Sequence, residues 1–174
     1  MEVVVTGDMQ QAKQPVSALL AGPYGHPFHP ILVTVPIGAW VGSLVFDIGS
    51  HIVDDPDFLA RGAVWLLAIG VLGALAAATI GFLDFLAIPR GTPAFRTGLI
   101  HMSLNLAVTV AYALNFWWRN SGDGPHGAVP AGPLVLSILS LAALGGSGYL
   151  GGKLAYHYGV RVADEATQLS GYRH

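Results

Sequence analysis

Four long apolar blocks, separated by short segments rich in proline, glycine and aspartate, fix what this chain can fold into. A helix rising about 1.5 Å per residue needs around 20 apolar residues to cross a hydrocarbon layer about 30 Å thick. The blocks at 30–51, 63–88, 95–118 and 133–156 all reach that length. Between them stand Asp54-Asp55-Pro56-Asp57, Pro89-Arg90-Gly91-Thr92-Pro93 and Asn120-Ser121-Gly122-Asp123-Gly124-Pro125, each a run of helix breakers. Connections this short make consecutive helices antiparallel neighbours. The expected fold is therefore all-α, an integral membrane four-helix bundle forming one domain over 26–158, with an N-terminal segment, 1–25, and a C-terminal tail, 159–174.

Composition agrees. Only 10% of the 174 residues are charged, against roughly a quarter in a soluble domain. The absence of cysteine excludes disulfides, cysteine-ligated iron–sulfur clusters and c-type haem, so any metal must use histidine, carboxylate or amide ligands. Eight Lys and Arg and a formal charge of −2 offer no basic patch to a nucleic-acid backbone. The opening residues lack a basic region followed by an apolar one, so the first hydrophobic helix is expected to direct insertion itself.

With four spans, both termini share a side with the second connection. That side holds Lys13, Arg90, Arg96, Lys153, Arg161 and Arg173, against Arg61 and Arg119 on the other. Cytoplasmic segments are the ones enriched in Lys and Arg, so both termini are expected in the cytoplasm and Trp65, Trp117 and Trp118 at the outer interface. Gly38 with Gly42, then Gly73, Ala77 and Gly81, then Gly148 with Gly152 are the expected close approaches between helices. No period marks a repeat array.

The histidines give the functional lead. His26 and His29 precede the first span, His101 lies about two turns into the third, and His157 closes the fourth, all on the expected cytoplasmic side. Asp84 brings a carboxylate from the second span to a similar depth. On the third span His101, Asn105, Val108, Tyr112 and Asn115 recur at spacings of three or four and share a face. Polar groups facing lipid cost several kcal/mol unless satisfied, so that face must look into the bundle. Imidazole suits haem iron as well as zinc, copper and non-haem iron. Haem b would take one or two axial ligands from His26, His29, His101 and His157, with Arg90 and Arg96 near its propionates. A transition-metal ion would take three or four of His26, His29, His101, His157 and Asp84 at about 2 Å. Asn105 and Tyr112 would support the ligands or relay protons. A plainer alternative has the helix-end imidazoles bonded to water or carbonyls, and His101 with Asn105 tying helices together. A second polar group, Ser43, Asp47 and His51 at four-residue spacing, marks a possible outer site, with Asn115 at comparable depth.

The run Gly25-His26-Pro27-Phe28-His29-Pro30, together with His101 and the closing Gly151-Gly152-Lys153-Leu154-Ala155-Tyr156, resembles an uncharacterised family of bacterial membrane proteins. That family has four hydrophobic helices, a His-Pro-x-His-Pro opening and a Gly-Gly-x-Leu-x-Tyr close. Many relatives continue with a His-Gly pair, where this chain has His157, Tyr158 and Gly159. Some relatives are joined to Rieske or cytochrome domains. The resemblance therefore implies a multi-pass protein of the bacterial inner membrane and an association with electron transfer, through a redox partner or a larger membrane complex. Residues and resemblance together lead to the expectation of haem or metal binding by the clustered histidines. The alternative is a non-redox accessory subunit or a small proton- or ion-conducting bundle using Asp47, His51, Tyr112 and Asn115. Neither a G-x-S-x-G elbow nor an H-E-x-x-H helix is present, so a hydrolase is the less favoured expectation.

Overall fold

The computed structural model describes residues 7–17, 22, 25–121 and 124–172. Gly122 and Asp123 of the third connection, and the terminal Arg173 and His174, lie outside the described residues. Among the described residues every regular element is helical. Helix α1, Gly7–Lys13, is short. A single turn, α2, His29–Leu32, runs on through Val33 into α3, Thr34–Gly49. Then come α4, Asp57–Leu86, α5, Pro93–Asn120, and α6, Ala131–Gly152, which continues into a π-helical turn at Lys153–His157; α7, Glu165–Ser170, closes the chain. Four stretches are long and apolar enough to cross a membrane: His29–Gly49, Asp57–Leu86, Pro93–Asn120 and Ala131–His157.

Local chemistry sets the boundaries. The second span starts at Asp57 rather than at residue 63, because Pro56 ends the preceding turn and an acidic residue in the first turn favours the positive end of the helix dipole. Helix α5 starts at Pro93, whose missing N–H is one the first turn does not need. Thr92 caps it, its Oγ1 accepting from the Phe95 N–H at 3.1 Å and donating to the Pro89 carbonyl at 2.8 Å.

Burial is inverted relative to a water-soluble bundle. Val45, Trp65, Leu72, Leu106 and Leu139 point outward, while Ser43, Asp47, Asn115, Arg119, Ser137, Ser140 and Ser147 are buried. In lipid this is the stable arrangement, since hydrocarbon solvates the apolar side chains and the polar ones must find partners inside. At mid-bundle Trp40, Leu67, Val108 and Tyr112 form the apolar centre. The rings of Trp40 and Tyr112 stack 4.2 Å apart at 12°, and the Tyr112 hydroxyl donates to the Ser137 carbonyl at 3.2 Å.

Glycines place the helices, though not all the expected ones. An added Cβ at Gly38 or Gly148 would meet nothing within 4 Å, so these two residues line no helix contact. Close approaches are made by Leu59 on Gly49, Phe46 on Gly62, Trp40 on Gly70, Val35 on Gly73 and His29 on Gly81 between the first two spans, by Phe85 on Gly98 between the second and third, and by Trp118 on Gly132 and His101 on Gly151 between the last two. Numbers fall along the first span as they rise along α4.

Candidate functional site

Two polar layers lie at opposite ends of the apolar centre. In the first, His29 enters from α2 and His101 from α5, and both imidazoles are seated alike. The His29 ring lies against Gly81, its Nδ1 2.9 Å from the Ala77 carbonyl one turn earlier in α4. The His101 ring lies against Gly151, its Nδ1 2.8 Å from the Ser147 carbonyl one turn earlier in α6. A side chain at either glycine would fill the slot: a Cβ at 81 would stand 2.7 Å from His29 Cε1, and one at 151 would stand 3.1 Å from His101 Cε1. A carbonyl only accepts, so these contacts assign the ring proton to Nδ1 in both histidines and leave an Nε2 lone pair on each. The two ring centroids are 6.5 Å apart with planes at 82°.

Ser147 Oγ lies 3.0 Å from His101 Nδ1 and donates to the His101 carbonyl at 3.3 Å. Asn105 Nδ2 lies 3.4 and 3.1 Å from His101 Nδ1 and Nε2 and donates to the His101 carbonyl at 3.0 Å. The two ring nitrogens are too close together for an in-plane group to approach both without meeting Cε1. The amide therefore stands over the ring face, and the in-plane Nε2 lone pair is not capped by it.

Asp84 reaches this end of the bundle but pairs with Arg161, whose Nε is 2.9 Å from Oδ1. Arg161 sits in the left-handed region, φ 57°, uncommon for a residue with a side chain. Its N–H donates to the Ala12 carbonyl at 3.0 Å and its Nη1 contacts the Lys13 carbonyl at 3.4 Å. Lys13 in turn bonds Glu165 at 2.8 Å, and that bond holds the exposed Glu165 carboxyl below its ordinary pKa. His26 is partly buried in the loop before α2, and His157 is exposed at the end of the π-helical turn, its ring against Tyr158. Among the described residues no three His, Asp or Glu side chains are gathered as a metal ion would require. The structure brings together His29, His101 and Asn105; it does not bring His26, His157 and Asp84 into one ligand set with them.

The second layer is an ion pair. Arg119 Nη1 and Nη2 donate to Asp47 Oδ1 and Oδ2 at 2.6 and 2.7 Å, both side chains being buried. Arg119 Nε donates to Asn115 Oδ1 at 2.8 Å, and Nη2 to Ser137 Oγ at 3.1 Å. Asn115 Nδ2 donates to the Pro133 carbonyl and to Ser137 Oγ, each at 3.0 Å. Ser43 Oγ donates to the Ala63 carbonyl at 3.2 Å. Ser50 Oγ donates to the Asp47 carbonyl at 2.6 Å and accepts from the Val129 N–H at 3.0 Å. His51, expected beside Asp47, is exposed beyond the end of α3.

The family model for a predicted membrane protein family, DUF2231, matches residues 25–164, from the loop of His26 through all four spans. The chain belongs to the DUF2231 family. No curated protein matches this DUF2231 chain, and no solved structure does.

By sequence Arg119 belongs among the flanking cations of this DUF2231 protein, whereas the structure seats it in the second polar layer, paired with Asp47; Ser137 and Ser147, which bond within the two layers, were likewise not singled out. The signal was available: the face of His101, Asn105, Val108, Tyr112 and Asn115 continues four residues on to Arg119. Gly81 and Gly151 were visible as small residues, but nothing in their spacing linked them to His29 and His101.

Proposed function

We propose that this DUF2231 protein is a membrane electron-transfer component that holds haem iron or a transition-metal ion between His29 and His101. The observation that carries the reading is the pair itself: two imidazoles from different spans, each with its Nδ1–H donating to a carbonyl and its Nε2 lone pair able to bind a metal. Metal-bound histidines are oriented in this way, the second nitrogen bonded to a carbonyl or carboxylate. Proximity supports it too. The two rings stand 6.5 Å apart, and among the described residues no three His, Asp or Glu side chains are gathered, so His29 and His101 would be the residues that hold the group, rather than a set with His26, His157 and Asp84. Bound there, either group would supply one-electron chemistry. Asn105 would lie over the His101 ring and limit its rotation.

The expected topology belongs to the same proposal. The opposed numbering of contacts along α3 and α4 supports antiparallel neighbours. The cationic side supports cytoplasmic termini, all the more since Arg119 is neutralised by Asp47. The histidine layer would then lie toward the cytoplasm in a bacterial inner membrane, within reach of a redox partner. The second reading, a non-redox accessory subunit, is supported by the Asp47–Arg119 layer, which is complete without any ligand. Because both Asp47 oxygens are bonded, that layer favours a packing module over a proton conductor.

The visible absorption spectrum of the purified protein, with metal analysis of the same sample, tests the proposal. A Soret band or about one equivalent of metal, lost on His101→Ala without loss of membrane insertion, is the expected result. Neither signal in protein isolated from cells supplied with haem precursor, iron and copper would overturn it.

A further inference from the structure

We infer that the chain is one helical hairpin used twice, the two copies packed about a pseudo-two-fold axis, and that the opposite charges at Asp47 and Arg119 make each copy select the other. The contacts that cross between the hairpins carry this. His29 meets His101, Trp40 meets Tyr112 and Asp47 meets Arg119, and in all three the partners are 72 positions apart. A residue that touches its own equivalent is the mark of a two-fold interface.

Contacts inside each hairpin repeat as well. His29 bonds the Ala77 carbonyl beside Gly81, and His101 bonds the Ser147 carbonyl beside Gly151. Ser43 bonds the Ala63 carbonyl, and Asn115 bonds the Pro133 carbonyl. On the first helices these residues are again 72 apart, and on the second helices 70 apart throughout. Buried Ala63, Leu67, Gly70 and Ala77 of α4 stand where Pro133, Ser137, Ser140 and Ser147 stand in α6, and all eight are buried. Two unrelated hairpins in a bundle would share a helical period, not the same donor-to-carbonyl bonds at the same offsets. A duplication of this kind leaves no period in the sequence, because the equivalents have diverged in type while keeping their place.

Divergence at one position then decides pairing. Two first hairpins would bury two carboxylates at the axis and two second hairpins two guanidinium groups, each an uncompensated pair of like charges in hydrocarbon. Only a first hairpin with a second is neutral. Each copy also supplies one imidazole to the axis, so anything held there takes one donor from each. The duplication itself stands whether or not a ligand binds.

The test is an exchange across the axis in the full chain, read by size-exclusion in detergent and by thermal unfolding. Asp47→Arg alone and Arg119→Asp alone are expected to lose the monomeric peak or about 10 °C or more in Tm. Asp47→Arg with Arg119→Asp recovers part of this. Adding Ser43→Asn with Asn115→Ser and Leu67→Ser with Ser137→Leu moves the surroundings with the charges. The transplanted guanidinium then finds an amide one turn before it and a hydroxyl on the facing helix, and the carbonyls of Ala63 and Pro133 serve either side chain. Without duplication, four more core substitutions only destabilise. A six-residue exchange that melts above the charge-exchanged double variant bears out the inference; one that melts at or below it overturns the inference.

Discussion

At one end of the bundle Asp47 and Arg119 meet charge to charge, with Asn115 and Ser137 completing the guanidinium's hydrogen bonds. At the other end His29 and His101 also come from facing hairpins, but their Nδ1 atoms turn away to backbone carbonyls, and the contact made to a second nitrogen among the described residues is that of Asn105 over the His101 ring, 3.1 Å from Nε2. Both layers obey the demand that polar groups inside a membrane be satisfied. The ion pair meets it wholly within the protein, as a brace does. The histidine pair meets it through one ring nitrogen of each imidazole, bonded to a backbone carbonyl.

The largest expected effect breaks the brace. Arg119→Ala leaves the Asp47 carboxylate buried and unpaired, which costs about 3 to 5 kcal/mol. His101→Ala removes one neutral hydrogen bond and some packing, and should cost about 1 to 2 kcal/mol. Thermal unfolding of the two variants in the same detergent checks the ranking, and equal losses would erase the distinction between the layers.

A smaller effect sharpens the reading of the histidine end. Gly81→Ala drives a methyl toward the His29 ring, where a Cβ would stand 2.7 Å from Cε1, and should cost about 1 to 3 kcal/mol by overpacking. Gly151→Ala, at 3.1 Å from His101 Cε1, should cost less. If the pair holds a ligand, Gly81→Ala should also lower ligand content more than Gly151→Ala does. A ligand content indifferent to Gly81 would separate the slot from the site.

The smallest effect concerns the segments drawn across that end. The bond from Lys13 depresses the Glu165 pKa, so its contribution is present above the ordinary glutamate range and is lost as pH falls through the lowered folded value. Amide protection in 7–13 and 165–170, taken relative to the intrinsic exchange rate at the same pH, should therefore weaken slightly as pH falls through the lowered Glu165 pKa, and Glu165→Gln should weaken it already at neutral pH. The four spans should show no such change.

The spans were legible because lipid imposes a length and a polarity that no soluble fold needs. The inward face of α5 was legible from its period, and Val108, Tyr112 and Asn115 are buried on it. For Arg119 the period alone carried the signal, four residues on from Asn115, because by charge a cation at a span's end reads the same whether it reaches for headgroups or folds back onto a carboxylate 72 residues away. Gly38 and Gly148 misled for a related reason, since each meets nothing within 4 Å whereas Gly42 meets Leu66: small residues announce that a helix can be approached, not from which side. The equivalence of the hairpins was hidden because Trp stands for Tyr, Ser for Asn and Asp for Arg, and because the two helices of the hairpin repeat at different offsets.

The indole of Trp40 lies 1% exposed while Trp65, Trp117 and Trp118 are more than half exposed. In bilayers made with brominated acyl chains the three outer indoles should be quenched and Trp40 spared. The residual emission would then come from the seam between the hairpins, giving the wild-type chain a built-in optical gauge of whether its halves remain together.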